Sequence, residues 1–473
     1  MADVFSWLDR QASLKPDAAA LVCNGVQVTF SELQGRVARA CNGVMAGGAG
    51  SGSVIATALR DPVDNWISTL GIMRAGAVPC SLANINTDDL AFVPDFLMAS
   101  DGMPRYPTVP RLRVSTVTSD AASNPASAGF AATDVALIIL SSGTTGTAKA
   151  VPLTWANLGD RTALRDLYFP IDGPVLSLMQ PAAAGGLQTC LTALKHGLSV
   201  DLSDTAAGFL TAVADPALRS IIGSPAQLAT LIRGMDALSL TARHVRSCLL
   251  MGGAVSKTLQ DAADRVFGAS VLAMYGTTEL GACATYTGAE AVHPMRLLTG
   301  TQAQAVNDAG QVLGEGEEGL LRIKAAGMVQ QYFGAASLTA ATFRDGWFYP
   351  GDTGWVKDGQ IRLTGRRDEQ INLGGAKFNP GDIDQYIQTL GLTVEGAAFK
   401  HTDAQGLETL MIAVVAPDGA SYARLKADIR AAIKPLHCPV GFFRVDAIAR
   451  NAMGKPLRNV LAGQLQAVMK RRP

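Results

Sequence analysis

The stretch Ser141-Ser142-Gly143-Thr144-Thr145-Gly146-Thr147-Ala148-Lys149 gathers small residues, hydroxyls and one lysine directly after the apolar run Ala136 to Leu140. Glycines let backbone N–H groups approach a phosphate closely, Ser and Thr hydroxyls add donors, and lysine supplies a mobile positive charge. A polyphosphate is the ligand such a loop suits. A flexible polar loop has the same composition, so the stretch alone supports a phosphate site and nothing finer. It is not a Walker loop, because Ala150 follows Lys149 and the Gly-x-x-x-x-Gly-Lys spacing is missing, which disfavours a metabolite kinase. None of the five histidines sits in a nucleophile-elbow context, which disfavours a serine hydrolase.

Further stretches follow in order. They are Met251-Gly252-Gly253-Ala254, Met274-Tyr275-Gly276-Thr277-Thr278-Glu279, Gly346-Trp347-Phe348-Tyr349-Pro350-Gly351-Asp352, Gly365-Arg366 onward through Gly374-Gly375 to Asn379-Pro380, and Asn451-Ala452-Met453-Gly454-Lys455. Together with the loop they resemble the adenylate-forming superfamily, which includes acyl-CoA synthetases, the adenylation domains of peptide synthetases and firefly luciferase. The resemblance runs from Pro16-Asp17 to Lys455.

The resemblance implies roles that suit the chemistry. Joining a carboxylate to the α-phosphate of ATP brings two anions together, so cations and donors must stand where charge accumulates. By resemblance, Ser141, Ser142, Gly143, Thr144, Thr145, Gly146 and Lys149 hold the phosphates, and Glu279 with Thr144 binds magnesium. Thr278 donates to the α-phosphate, Tyr275 stacks on adenine, and Gly252, Gly253, Ala254, Gly276 and Thr277 line the nucleotide site. Asp352 receives the ribose hydroxyls beside Arg366, a task for a two-oxygen acceptor. Lys455 is the catalytic lysine, Asp368 the hinge, and Gly374-Gly375 the hairpin that guides a thiol in the second half-reaction. Without the resemblance, Glu279 reads as a loop acid, Tyr275 as a core aromatic, Asp352 and Arg366 as halves of surface ion pairs, and Lys455 as a solvated lysine.

Two loop positions depart from the family pattern. Ala148 stands where proline is typical, which costs only a fixed φ, and Ala150 stands where glycine is typical, which matters if that backbone needs a positive φ. Beside the acyl site, Ala183, Ala184, Gly185 and Gly186, with Met251, replace the aromatic-histidine pair of many relatives. Small residues there leave room for a bulky or aromatic acyl group, unless helix packing alone requires them. The aspartate that would pair with an amino-acid ammonium is missing, so an α-amino acid is disfavoured.

These residues need a frame. Ala18 to Val22 and Val26 to Phe30 flank Asn24-Gly25 as a hairpin, and Ser31 with Gln34 reads as a capping box opening the next helix. Strands at Ser53 to Ala58, Ala136 to Leu140 and Ser247 to Met251 alternate with helices, the mark of parallel sheets covered on both faces. Asp101 to Asp134 reads as an irregular connection. The charged run from Gly365 to Gln370 suggests a hinge, followed by a small α+β unit. The expected fold class is α/β. Residues 1–365 would form a large AMP-binding domain of packed βα subdomains, and 366–473 a small mobile domain carrying Lys455.

Forty basic residues balance forty acidic ones, which gives no reason to expect a nucleic-acid partner. No segment has the roughly 18 uninterrupted apolar residues of a membrane span. Seven scattered cysteines lack zinc or disulfide spacing, and a cytoplasmic protein is expected. The expected activity is ATP- and magnesium-dependent formation of an acyl-AMP, then transfer to CoA. Transfer to a separate carrier protein or an amine, or a nucleotide-binding scaffold without catalysis, are the alternatives.

Overall fold

The computed structural model describes residues 3–83, 90–99, 108–112, 129–141, 148–287, 294–367, 371–373, 376–378, 380–390, 395–402, 408–433, 440–451 and 454–470. The chain divides into two compact units. One comprises Met1–Ala291, Met295–Gln302 and Ile323–Phe348, and the other Val292–Pro294, Ala303–Arg322 and Tyr349–Pro473.

The first unit holds two sheets of buried strands. A six-stranded sheet runs in the order Arg111–Leu112, Phe96–Ala99, Val54–Ala58, Val78–Ser81, Val135–Ser141, Lys149–Thr154, parallel except for its last pair. Val54, Ala56, Cys80, Leu97, Ile138 and Ala150 pack into one core on it. Such strands are apolar at nearly every position because helices or other strands cover both faces. The other sheet, within this unit, sets Ala19–Cys23, Val200–Asp201, Val175–Ser177, Ser220–Gly223, Ser247–Met251 and Ser270–Thr277 side by side in parallel. Its core includes Leu176, Ile221, Leu228, Cys248, Val266 and Phe267.

Two sequence expectations are corrected. The capping box of the helix Phe30–Ala46 is built by Thr29 and Glu32, not Ser31 and Gln34: the helix starts two residues earlier, so Thr29 has the extended backbone a cap requires. Within the stretch expected to be irregular, Arg111–Leu112 is an edge strand whose Leu112 is buried.

In the second unit, Asp352–Lys357 and Gln360–Arg366 form an antiparallel pair, and Glu395–Thr402, Glu408–Val415 and Val440–Arg444 form a three-stranded sheet. Helices Pro380–Thr389, Gly419–Ile433 and Arg458–Lys470 supply Ile387, Leu425, Ile429, Leu461 and Leu465 to its two small cores. The strands flanking Gly374 and Gly375 pair antiparallel, Ile371 opposite Phe378, while the two glycines lie outside the described residues.

The helix Trp155–Tyr168 follows directly on the strand that leaves the phosphate loop. Its N-terminus is fixed by a reciprocal cap: Asn157 N donates to Thr154 Oγ1 (3.1 Å) and Thr154 N to Asn157 Oδ1 (3.0 Å). Replacing Thr154 by alanine removes one acceptor for the orphan N–H groups and should lower stability by about 1 kcal/mol in urea unfolding. An unchanged midpoint would show that the helix start is held by its neighbours alone.

Candidate functional site

The phosphate loop is closed by antiparallel strands in which Ser141 pairs with Lys149 and Leu140 with Ala150. Residues Ser142, Gly143, Thr144, Thr145, Gly146 and Thr147 lie outside the described residues. The two alanines sit comfortably. Ala148 is buried and bridges Leu90, and Ala150 is a buried strand residue whose carbonyl accepts from Phe333 N (2.8 Å). Ala150 is not among the positive-φ residues, so glycine's freedom is not needed there.

Met251 ends the strand Ser247–Met251, and Gly252, Gly253 and Ala254 turn the chain away from it. Next to it, Ser270–Thr277 carries Tyr275, Gly276 and Thr277 and has a register shift between Tyr275 and Gly276. That irregularity bends the strand where Thr278 and Glu279 follow. Thr277 Oγ1 accepts from Leu280 N (3.2 Å), which closes the turn around them.

Glu279 is 6 % exposed, and among the described residues it forms no ion pair. Its Oε1 accepts from the Tyr332 hydroxyl at 2.7 Å. Burial, then the Glu279 charge and this hydrogen bond, push the Tyr332 phenol well above its ordinary pKa. On the face of the same ring lies the Lys149 ammonium, 5.6 Å from the centroid. Tyr332 thus stands between the lysine of the phosphate loop and the acid expected to meet the metal.

A second buried group braces the backbone. Arg161, on the helix Trp155–Tyr168, donates from Nη2 to the carbonyls of Thr278 (3.0 Å) and Glu279 (3.1 Å) and from Nε to that of Gly327 (2.9 Å). Burial pushes its pKa down to about 10, and Glu279's charge pulls it back up, so it stays a cation near neutrality. Gly281 and Gly327 have φ of +74° and +77°, and a Cβ would stand 3.0 Å and 2.8 Å from Arg161 atoms, so the guanidinium occupies the room their missing side chains leave. Sequence reading missed Arg161 and Tyr332. An arginine at a half-apolar helix face and one of eight tyrosines carry no local mark of their partners.

Alongside the acyl stretch, the alternative left open between space and packing resolves position by position. A Cβ at Gly186 would meet Gln180 O at 2.1 Å, so backbone packing demands glycine there. At Gly185 a Cβ would meet the sulfurs of Met179 (2.4 Å) and Met251 (2.6 Å), so thioethers fill the space there. Ala183 precedes the helix Ala184–His196 without a side-chain cap.

In the second unit Asp352 and Arg366 are cross-strand partners, and Arg366 Nη1 donates to Asp352 Oδ1 (3.2 Å). Asp352 is largely buried, unlike half of a solvated ion pair. Lys455 lies exposed in the turn before the helix Arg458–Lys470. Asp368, Gly374 and Gly375 fall outside the described residues.

Among the described residues no cluster of three His, Cys, Asp or Glu side chains could by itself hold a metal. Magnesium does not need one, since it keeps several waters and binds through one or two carboxylates plus phosphates. A buried carboxylate with one oxygen on a neutral phenol and, among the described residues, no ion pair fits that role.

The family profile described as AMP-binding enzyme matches residues 8–93 and 95–333. The chain belongs to that family, the adenylate-forming one its motifs resemble. It is 27 % identical to novobiocin biosynthesis protein H of Streptomyces niveus, over 97 % of this chain and 82 % of that protein. It is 25 % identical to the oxalate–CoA ligase of Arabidopsis thaliana, over 96 % and 97 %. The o-succinylbenzoate CoA synthetase of Bacillus subtilis in complex with its acyl-adenylate intermediate has the same fold, with a TM-score of 0.83, 22 % identity and coverage of 96 % of this chain and 97 % of that one.

Tyr332→Phe should lower stability by about 1.5–3 kcal/mol, since a buried carboxylate loses a charge-assisted bond. It should also raise the magnesium concentration at which ATP half-maximally increases the melting temperature. A variant that matches the parent in both urea midpoint and magnesium response would deny Tyr332 a hold on Glu279.

Proposed function

We propose that this protein is an AMP-forming acid–thiol ligase. A carboxylate oxygen attacks the α-phosphorus of ATP and pyrophosphate leaves; the thiol sulfur of CoA then attacks the acyl carbonyl carbon and AMP leaves. The observation that carries the reading is the Lys149–Tyr332–Glu279 arrangement, a cation on the face of one aromatic ring and a buried carboxylate on its hydroxyl, the carboxylate forming no ion pair among the described residues. Family membership and the CoA ligases among the relatives support it.

In this reading Lys149 draws the outer phosphates to the loop through charge, and Thr278, whose carbonyl Arg161 holds, presents its side chain to the α-phosphate. Bound at Glu279 with Thr144, magnesium would neutralise phosphate charge. Tyr275, Gly276, Thr277, Gly252, Gly253 and Ala254 line the adenosine side, and Asp352 with Arg366 receives the ribose. Ser141, Ser142, Gly143, Thr145 and Gly146 complete the phosphate cradle. Lys455 bridges carboxylate and α-phosphate in the first half-reaction only. A lysine needed in one step and not the next calls for a hinge, assigned to Asp368 between residues 1–365 and 366–473, with Gly374–Gly375 serving the thiol.

A bulky or aromatic acid is preferred. Met179 and Met251 are unbranched and flexible, so the two sulfurs at Gly185 can yield to a ring where a branched side chain would not. The six described cysteines are free and buried, with the Cys80 and Cys248 thiols pushed up to about 12 by burial, which suits the proposed cytoplasmic location. No helix among the described residues is long and apolar enough to cross a membrane.

Pyrophosphate release with ATP and magnesium across benzoate, cinnamate, ferulate, acetate, oxalate and malonate tests the proposal. Aromatic acids should outpace acetate by about tenfold, and Lys455→Ala should lose on the order of 100-fold. No acid exceeding the Lys455→Ala background would sink the enzyme reading. Pyrophosphate release without thioester when CoA is added would move the acceptor to a separate carrier protein or an amine.

A further inference from the structure

One arginine ties the exposed turn that carries Lys455 to the edge of its own α+β fold. Arg450 Nη1 donates to the carbonyl of Gly454 (2.8 Å), the oxygen of the very peptide that enters Lys455. Its Nε donates to Glu395 Oε1 (2.9 Å), and its Nη2 reaches the same oxygen. Glu395 opens the strand Glu395–Thr402, so the turn is referenced to the sheet.

Within the turn, Asn451 Oδ1 accepts from Lys455 N (3.0 Å). Asn451 N donates to Lys455 O (3.0 Å) and Gly454 N to Asn451 O (2.8 Å). Beyond it, Leu457 N donates to Ala449 O (2.8 Å), and Arg458 binds Asp384 Oδ2 (2.8 Å) and the Ala398 carbonyl. The main chain is therefore held on both sides of Lys455.

The Arg450–Glu395 pair is a poor device for stability. The two side chains are 32 % and 49 % exposed, and ion pairs at that exposure contribute little to folding. Its geometry does something else, since a planar guanidinium that spans a carboxylate and a carbonyl fixes an orientation a lysine could not. Orientation is what a bridging lysine needs: displacing a catalytic group by about 1 Å can cost on the order of 100-fold in rate.

We propose that Arg450, oriented by Glu395, is a positioning residue for the adenylation half-reaction, setting the peptide plane from which Lys455 enters. This rests on the assignment of Lys455 made above. The thiol half-reaction, which does not use Lys455, is then indifferent to the brace.

The test uses the full chain, the acid from the panel above with the highest rate, and its synthetic acyl-adenylate. Two assays are run, ATP–pyrophosphate exchange and thioester formation from supplied acyl-adenylate and CoA. Arg450→Ala and Glu395→Ala should lower exchange on the order of 10- to 100-fold while leaving thioester formation within about twofold. Glu395→Gln keeps the accepting oxygen and should stay within about threefold of the parent. Melting temperatures should be nearly unchanged. Exchange at the parental rate in Arg450→Ala, with Lys455→Ala inactive, overturns this inference and leaves the reading of Lys455 standing. Normal exchange in Lys455→Ala sinks that reading itself. Equal losses in both half-reactions together with a lowered melting temperature would make the brace merely structural and also overturn the inference.

Discussion

A guanidinium removed from water must have its donors met and its charge answered, and around Arg161 that requirement orders the first unit's site. Three carbonyls meet it, two from the segment that carries Glu279 and one from Gly327. The helix that bears Arg161 begins where the phosphate-loop strand ends, at a capped Thr154. Loop exit, helix and acidic turn are therefore one mechanical piece. Asn157 adds to it by donating to the Met328 carbonyl (3.2 Å), and Val329 N returns to the Glu279 carbonyl (2.9 Å).

Within that frame, Tyr332 keeps two opposite charges near each other without letting them cancel. A direct ion pair between Lys149 and Glu279 would leave neither group available to a phosphate or a metal. The aromatic ring gives the lysine a π face and the carboxylate a hydroxyl donor, contacts that leave the ammonium and the carboxylate unjoined to each other. Glu279 is deeply buried and, among the described residues, forms no ion pair, while the Arg161 cation acts on it through charge alone, a setting that suits the proposed divalent ion.

The second unit follows a different rule. Asp352 and Arg366 are joined across adjacent strands and so keep their spacing through the sheet ladder. Lys455 instead stands on a solvated turn, where placement comes from hydrogen bonds to Asn451 and Arg450 and not from burial. Charge on an exposed turn costs little desolvation, which suits the proposed role of Lys455 as a group presented in one half-reaction and withdrawn in the next.

Much of the outline was legible along the chain. The buried strand Ser247–Met251 and the helices between apolar runs follow from local composition, because burial on both faces demands apolar residues in unbroken order. The motif order from Ser141 to Lys455 identified the family, since spacing along a chain survives where pairwise identity has fallen to about a quarter. The capping box was displaced to Thr29 and Glu32, because where a strand hands over to a helix depends on the neighbours it pairs with. Whether Ala150 strained its loop also lay beyond the sequence, as φ there is set by pairing with Leu140. Arg161 and Tyr332 were decided by tertiary structure alone. Arg161 reaches carbonyls 117, 118 and 166 positions away, and Tyr332 a carboxylate 53 positions away. The sequence by itself determined the family and the order in which the groups proposed to meet ATP occur. Only the fold decided which buried cation and which phenol hold them, because those bonds join residues that no local pattern links.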